Sequence, residues 1–241
     1  MKSARLFVTL LFAVSAAQPA PAQSTFQNLN FESATLAPTT GSGGDVAIGA
    51  ALPGWNGSIG GAPVSEVLQN NYTLGEASID IFGPNYASVG QGFGFGQGVI
   101  DGNYTVFLQA FNPSQGNVAI WQNGTIPANA ESVQFKAWSY GEGATFSVSF
   151  AGNTLSPVEI SSVANDTGIP VIEYGANIGA YAGQTGELEF TANYGNQGAS
   201  WSEFDDITFS NVSVTPEPNT LALIVMGGLA LAARRRRAKA S

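Results

Sequence analysis

Cysteine and histidine are both absent from the 241 residues. Without cysteine there is no disulfide staple and no thiolate nucleophile. Without histidine the chain lacks the commonest general base, the usual zinc ligand and every Ser-His-Asp arrangement. Positive charge is almost as scarce in the middle of the chain. Of eight basic residues, Lys2 and Arg5 stand near the start and five fall in the last eight positions, so Lys136 is the one base between residues 23 and 215. Sixteen of the 17 acidic residues lie in that same stretch, which carries a net charge near −15 where the whole chain shows −9. Such a surface repels phosphate backbones and anionic headgroups, so nucleic acid is excluded as a partner. Neutral glycans and cations remain, with acidic polysaccharides reachable only through a bridging divalent ion.

Long apolar runs are missing except at the two ends. Residues 6–17, LFVTLLFAVSAA, follow Lys2 and Arg5 and precede small residues ending in Ala20-Pro21-Ala22. A basic start, a short apolar run and a small-residue cleavage site are the marks of a secretory signal peptide, expected over residues 1–22 and read by the Sec export machinery. Near the other end, residues 220–233 form an uncharged, mostly apolar run of 14, short of the ~20 that a spanning helix takes. Arg234, Arg235, Arg236 and Arg237 follow at once and hold that end on the cytoplasmic side. The two ends together expect everything between them to lie outside the cytoplasm, with a tail lightly held in the membrane as a transmembrane helix.

Immediately before the apolar run stand Pro216, Glu217 and Pro218. A marginal anchor beside a proline-flanked acid suits a signal read by an enzyme better than a permanent anchor. In their order, the Pro-Glu-Pro, the apolar run and the arginine cluster resemble the PEP-CTERM sorting signal, here residues 216–241. Tails of that family are recognised and cut by exosortases in Gram-negative bacteria that export polysaccharide. The resemblance implies an exosortase-type processing enzyme as a partner. It also implies an intermediate anchored in the inner membrane, then delivery to the cell envelope surface or the extracellular matrix.

The body, residues 23–215, shows no sustained helical period, and alternation with period two recurs instead. In ATFSVSF (144–150) Phe146, Val148 and Phe150 share a face, and in GELEFTA (186–192) Leu188 and Phe190 oppose Glu187 and Glu189. Residues 104–110, YTVFLQA, are apolar on both faces, as a central strand is. Further strands are expected at 77–82, 117–122, 132–140, 158–163, 170–174 and 206–214, with turns at 101–103, 123–124, 141–143, 151–153 and 165–168. Many short strands at this spacing predict an all-β sandwich of a single domain. Residues 88–98, SVGQGFGFGQG, are the one low-complexity patch and are expected to form a glycine loop.

Three stretches carry a second resemblance. Asn28-Leu29-Asn30-Phe31-Glu32, Leu52-Pro53-Gly54-Trp55 and Phe204-Asp205-Asp206-Ile207-Thr208-Phe209 are similar, in that order, to galactose-binding-like jelly rolls. Several carbohydrate-binding modules of secreted bacterial enzymes belong to that group. The likeness implies a jelly-roll fold. It also implies a structural Ca²⁺ tying an acid of the first strand to one opening the last, at positions matching Glu32 and Asp205. Alternation gives Asp205 the parity of Ile207 and Phe209, taken as inward, and turns Asp206 outward. The alternative is that these acids only solvate strand ends.

For ligand binding, SVQFKAWSY (132–140) puts Val133, Phe135 and Ala137 on a core face, and Gln134, Lys136, Trp138 and Tyr140 on the other. Flat aromatics beside an amide suit the stacking and hydroxyl contacts of a sugar, so Trp138, Tyr140 and Gln134 are the candidate glycan-binding residues. The competing reading is ordinary packing with one polar atom satisfied. No catalytic residue is assigned. Among so many acids some pair always lies at a hydrolase's spacing, so pairs such as Glu187/Glu189 carry no signal. The expectation is an exported, non-enzymatic surface or matrix protein that binds neutral polysaccharide, exopolysaccharide included. Its alternative is a purely structural surface or biofilm protein without a small ligand.

Overall fold

The structure is a computed structural model describing residues 25–38, 43–71, 73, 75–84, 86, 98–140, 145–164, 170–195 and 199–215. The expected signal peptide, the glycine loop up to residue 97 and the sorting signal, Pro216 to Pro218 and Arg234 to Arg237 included, lie outside these residues. So do the turns expected at 141–143 and 165–168. No helix among the described residues is long and apolar enough to cross a membrane.

Two sheets pack face to face as a sandwich. The larger runs, in spatial order, β1 (Asp45–Ala47), β4 (Glu66–Gln69), β5 (Ser78–Phe82), β6 (Thr105–Ala110), β14 (Ser200–Ser210), β8 (Ser132–Tyr140), β12 (Pro170–Asn177) and β11 (Val158–Ala164). The smaller runs β10 (Asn153–Thr154), β9 (Thr145–Phe150), β13 (Thr185–Asn193), β7 (Val118–Thr125), β2 (Asn56–Ile59) and β3 (Ala62–Val64). The paired strands are antiparallel except β4 and β5, which run parallel. Helix is limited to one turn at Ile48–Ala51 and a 3₁₀ turn at Gly179–Tyr181 among the described residues.

The core lies where alternation points it. Phe135 and Phe204 from the large sheet meet Phe190 from the small one, with ring centroids 5.1 and 5.2 Å from Phe190. Edge contacts of this kind add to the stabilisation from area burial alone. Strand β6 is buried at all six positions, as a central strand with both faces covered must be.

Three expectations are corrected. Asn123-Gly124 is not a turn but lies within β7, where Gly124 pairs with Gly186. A Cβ at Gly124 would come within 2.6 Å of the Phe26 ring, so this glycine makes room for a side chain packed over the strand. The last strand begins at Ser200 rather than 206, so Asp205 sits in its middle. Its parity also breaks. The pairing Asp205↔Lys136 is followed by Thr208↔Gln134, one extra residue on β14, and Asp206 takes a left-handed φ of 49°. This β-bulge lets both Phe204 and Ile207 point into the core, which strict alternation forbids. Asp205 therefore shares the outer face with Lys136 and not the inward side of Ile207.

Candidate functional site

Side chains opposite one another across paired strands share a face, so register maps the outer face of the large sheet. One row reads Asp80, Phe107, Glu203, Trp138 across β5, β6, β14 and β8. The next reads Ser78, Gln109, Trp201 and the backbone position of Tyr140. On β8 itself Val133, Phe135 and Ala137 are buried, while Gln134, Lys136 and Trp138 are partly exposed on the outer side.

Two different environments divide this face. Its β5–β6 side is closed: Phe82, Tyr86 and Phe107 form a second buried cluster, with Phe82 stacked on Tyr86 at 3.7 Å. Trp201 packs against this cluster and donates from Nε1 to Gln109 Oε1 at 2.7 Å. Gln109 in turn donates from Nε2 to the carbonyls of Thr73, at 2.6 Å, and of Glu76. Asp80 and Glu203 are both fully buried here. Burial pushes the Asp80 carboxyl well above its ordinary range, against the pull of a 2.7 Å hydrogen bond donated by Ser78 Oγ. On the β8 side, Trp138, Gln134 and Lys136 are partly exposed, as Trp201 is on β14.

Beside it lies a cavity of about 200 Å³ lined by Asn30, Glu32, Asp101, Gly102, Asp205 and Asp206. Glu32 and Asp205, the two acids that the galactose-binding-like resemblance pairs, both line this cavity, on either side of the turn that follows Ile100. Glu32 lies in a turn rather than a strand, because Asn28 and Phe31 both take positive φ. Its carboxylate accepts from the backbone N–H groups of Asn103 (2.7 Å) and Tyr104 (2.9 Å) and from Asn103 Nδ2 (2.9 Å). Only glycine fits at 102: φ is +60°, and a Cβ would stand 2.5 Å from Glu32 Oε1.

Asp205 is 1% exposed and accepts from Thr105 Oγ1 (2.5 Å), the Asp101 N–H (3.2 Å) and the Asp206 N–H (2.7 Å). Burial dominates over these donors and pushes its pKa up to about 8. The ammonium of Lys136, the body's one base, bridges Asp101 and, at 3.1 Å, Asp206. Burial works against the lysine's charge, but its hydrogen bonds to Asp101 and Asp206 outweigh that, so its pKa is raised. The pocket's carboxylates are thus engaged by N–H, O–H and ammonium donors. Among the described residues no group of three or more acids is arranged to hold a metal ion.

The structure therefore brings Glu32 and Asp205 together and keeps Trp138 and Gln134 on one partly exposed face with Lys136. The side chain of Tyr140 lies outside the described part of the chain. Sequence reasoning missed Asp80, Glu203 and the bridge from Lys136 to Asp101 and Asp206. Asp80 did leave a signal, since an acid between Ile79 and Ile81 in a strand sits on a covered sheet's second face.

Over residues 214–237 the chain is similar to the PEP-CTERM protein-sorting motif. No curated protein matches the chain. The motif implies an exported protein, processed by an exosortase and sorted to the cell surface. The match concerns the tail alone.

Proposed function

We propose that this exported, surface-sorted protein binds neutral polysaccharide through the outer face of its large sheet, without catalysing a reaction. The observation that carries the reading is the placement of Trp138, partly exposed, on the outer face of the large sheet beside Gln134 and Lys136, which are partly exposed too. Its ring is partly exposed in the same strand as Gln134, which supplies an amide to orient hydroxyls. A sheet face presenting an aromatic and an amide suits an extended sugar chain better than a small molecule. The acidity of the body favours a neutral glycan over an acidic one. A galactose-binding-like jelly roll remains the finer fold proposal, supported by the two-sheet architecture and the three short motifs in their order.

The test is migration of the folded protein in native gels cast with neutral polysaccharides. Retardation that disappears in Trp138→Ala supports the reading. Unretarded migration in every glycan, exopolysaccharide of the host included, favours the structural surface protein instead. A calcium ion between Glu32 and Asp205 is a separate proposal. It would take Asn30, Asp101 and Asp206 as further oxygen donors and displace both the Lys136 ammonium and the proton on Asp205. Calorimetric uptake of Ca²⁺ accompanied by proton release supports it, and absence of heat refutes it.

A further inference from the structure

After β14 the chain does not leave the body freely. Ser132 Oγ donates to the Val212 carbonyl at 2.7 Å, and Ser213 Oγ donates to Glu131 Oε2 at 3.3 Å. Asn177, the last residue of β12, then grips Val214 at both backbone groups. The Val214 N–H donates to Asn177 Oδ1 at 2.8 Å, and Asn177 Nδ2 donates to the Val214 carbonyl at 2.8 Å. An amide side chain here copies the pairing of a neighbouring strand. The Val214 side chain packs over Gly175, where a Cβ would stand 2.6 Å from Val214 Cγ1. Val214 is also the first residue of the matched sorting motif.

The gripped residue is close to the motif's reading elements. Pro216 lies two residues on and the apolar run starts at Thr220, six Cα steps from Val214. At full extension those steps span roughly 20 Å. With the grip closed, the body therefore stands within that distance of whatever holds the apolar run. The end of the sandwich from which the chain leaves suits that closeness. The loops 126–131 and 178–184 are tied together there by Gly183 N–H donating to the Ile126 carbonyl and Ile178 N–H donating to the Glu131 carbonyl, and 211–215 joins them through Ser213 Oγ and Glu131. Glu131 is their one charged residue in a body of net charge near −15, and Val212 stands 63% exposed beside it.

We propose that Asn177 is a clasp that holds the first residue of the sorting motif on the body and limits the processing enzyme's access to the Pro-Glu-Pro segment. An enzyme that reads a peptide in extended form uses the backbone N–H and C=O groups of that peptide. Asn177 occupies both of these groups at Val214. The body and the enzyme therefore compete for the same residue, and opening the clasp precedes processing. Asn177 acts through the position of the chain and is no part of the enzyme's chemistry. The inference rests on the sorting motif and is independent of glycan binding.

The experiment follows the full chain in a host that carries the processing enzyme, by pulse-chase, comparing wild type with Asn177→Ala. Loss of two amide–backbone hydrogen bonds opens the clasp more often by roughly five- to thirtyfold, and precursor should disappear faster by that factor. A second pair of variants carries four Gly/Ser residues inserted between Thr215 and Pro216 in both backgrounds. That moves the motif clear of the clasp, so the inserted pair should process at equal rates. Hydrogen exchange at the Val214 amide, faster in Asn177→Ala with an unchanged melting transition, separates opening of the clasp from general unfolding. Equal or slower processing in Asn177→Ala overturns the proposal, as does a difference that survives the insertion. A wild-type precursor that is never processed overturns the sorting reading as well.

Discussion

Replacing Asp205 with asparagine is expected to flatten the pH dependence of the body's stability. Burial pushes the Asp205 pKa from its ordinary 3.8 to about 8 in the folded state. The folded protein therefore holds this proton more tightly than the unfolded chain does. Stability from the group is fully present below the unfolded pKa and is lost as pH rises through the folded one. A shift of this size corresponds to about 5 kcal/mol across the window from pH 4 to 8. An asparagine side chain cannot titrate, so the Asp205→Asn variant keeps whatever constant cost the amide brings but loses that slope. Urea unfolding of wild type and Asp205→Asn at several pH values from 4 to 9 isolates the difference from other groups. Asp80, which is raised in the same direction, contributes equally to both proteins and cancels in the comparison. Parallel pH profiles, or a wild type that gains stability relative to the variant as pH rises, would refute the assignment of a buried, protonated Asp205.

Other substitutions probe the same architecture. Phe190→Ala empties the ring cluster shared with Phe135 and Phe204 and should cost about 3–5 kcal/mol in equilibrium unfolding. Gly102→Ala forces a left-handed alanine against Glu32 and is expected to lose about 2 kcal/mol, read as a lowered melting temperature. Lys136→Met removes the cation bridging Asp101 and Asp206. Because that bridge is partly exposed, the loss should be about 1 kcal/mol and should shrink in high salt.

The strands legible from sequence are the long alternating ones. Residues 132–140 and 144–150 declare their faces through Val133, Phe135 and Ala137, and through Val148 and Phe150. The strands β1 to β4 are only three or four residues each and broken by Gly, Pro and polar residues, so no window is long enough to show a period. The bulge at Asp206 was hidden for a different reason. One extra residue reverses parity without changing composition, so the run Phe204 to Phe209 reads as plain alternation until the register of β14 against β8 is known. The acidic pocket was half legible. Glu32 and Asp205 were paired by resemblance, whereas Asp101 joins them only because the turn after Ile100 folds between them. The role of Asn177 had no local signal at all, since its partner Val214 lies 37 residues away.

The central claim, a glycan-binding outer face, is tested most directly by retention of the folded body on immobilised neutral polysaccharides and on the host's own exopolysaccharide. Wild type and Trp138→Ala are compared with and without EDTA. Retention of wild type, lost in Trp138→Ala while the melting transition is kept, is the predicted result. Equal retention of both proteins would contradict the place of Trp138, and no retention of either would leave the sandwich a structural surface protein.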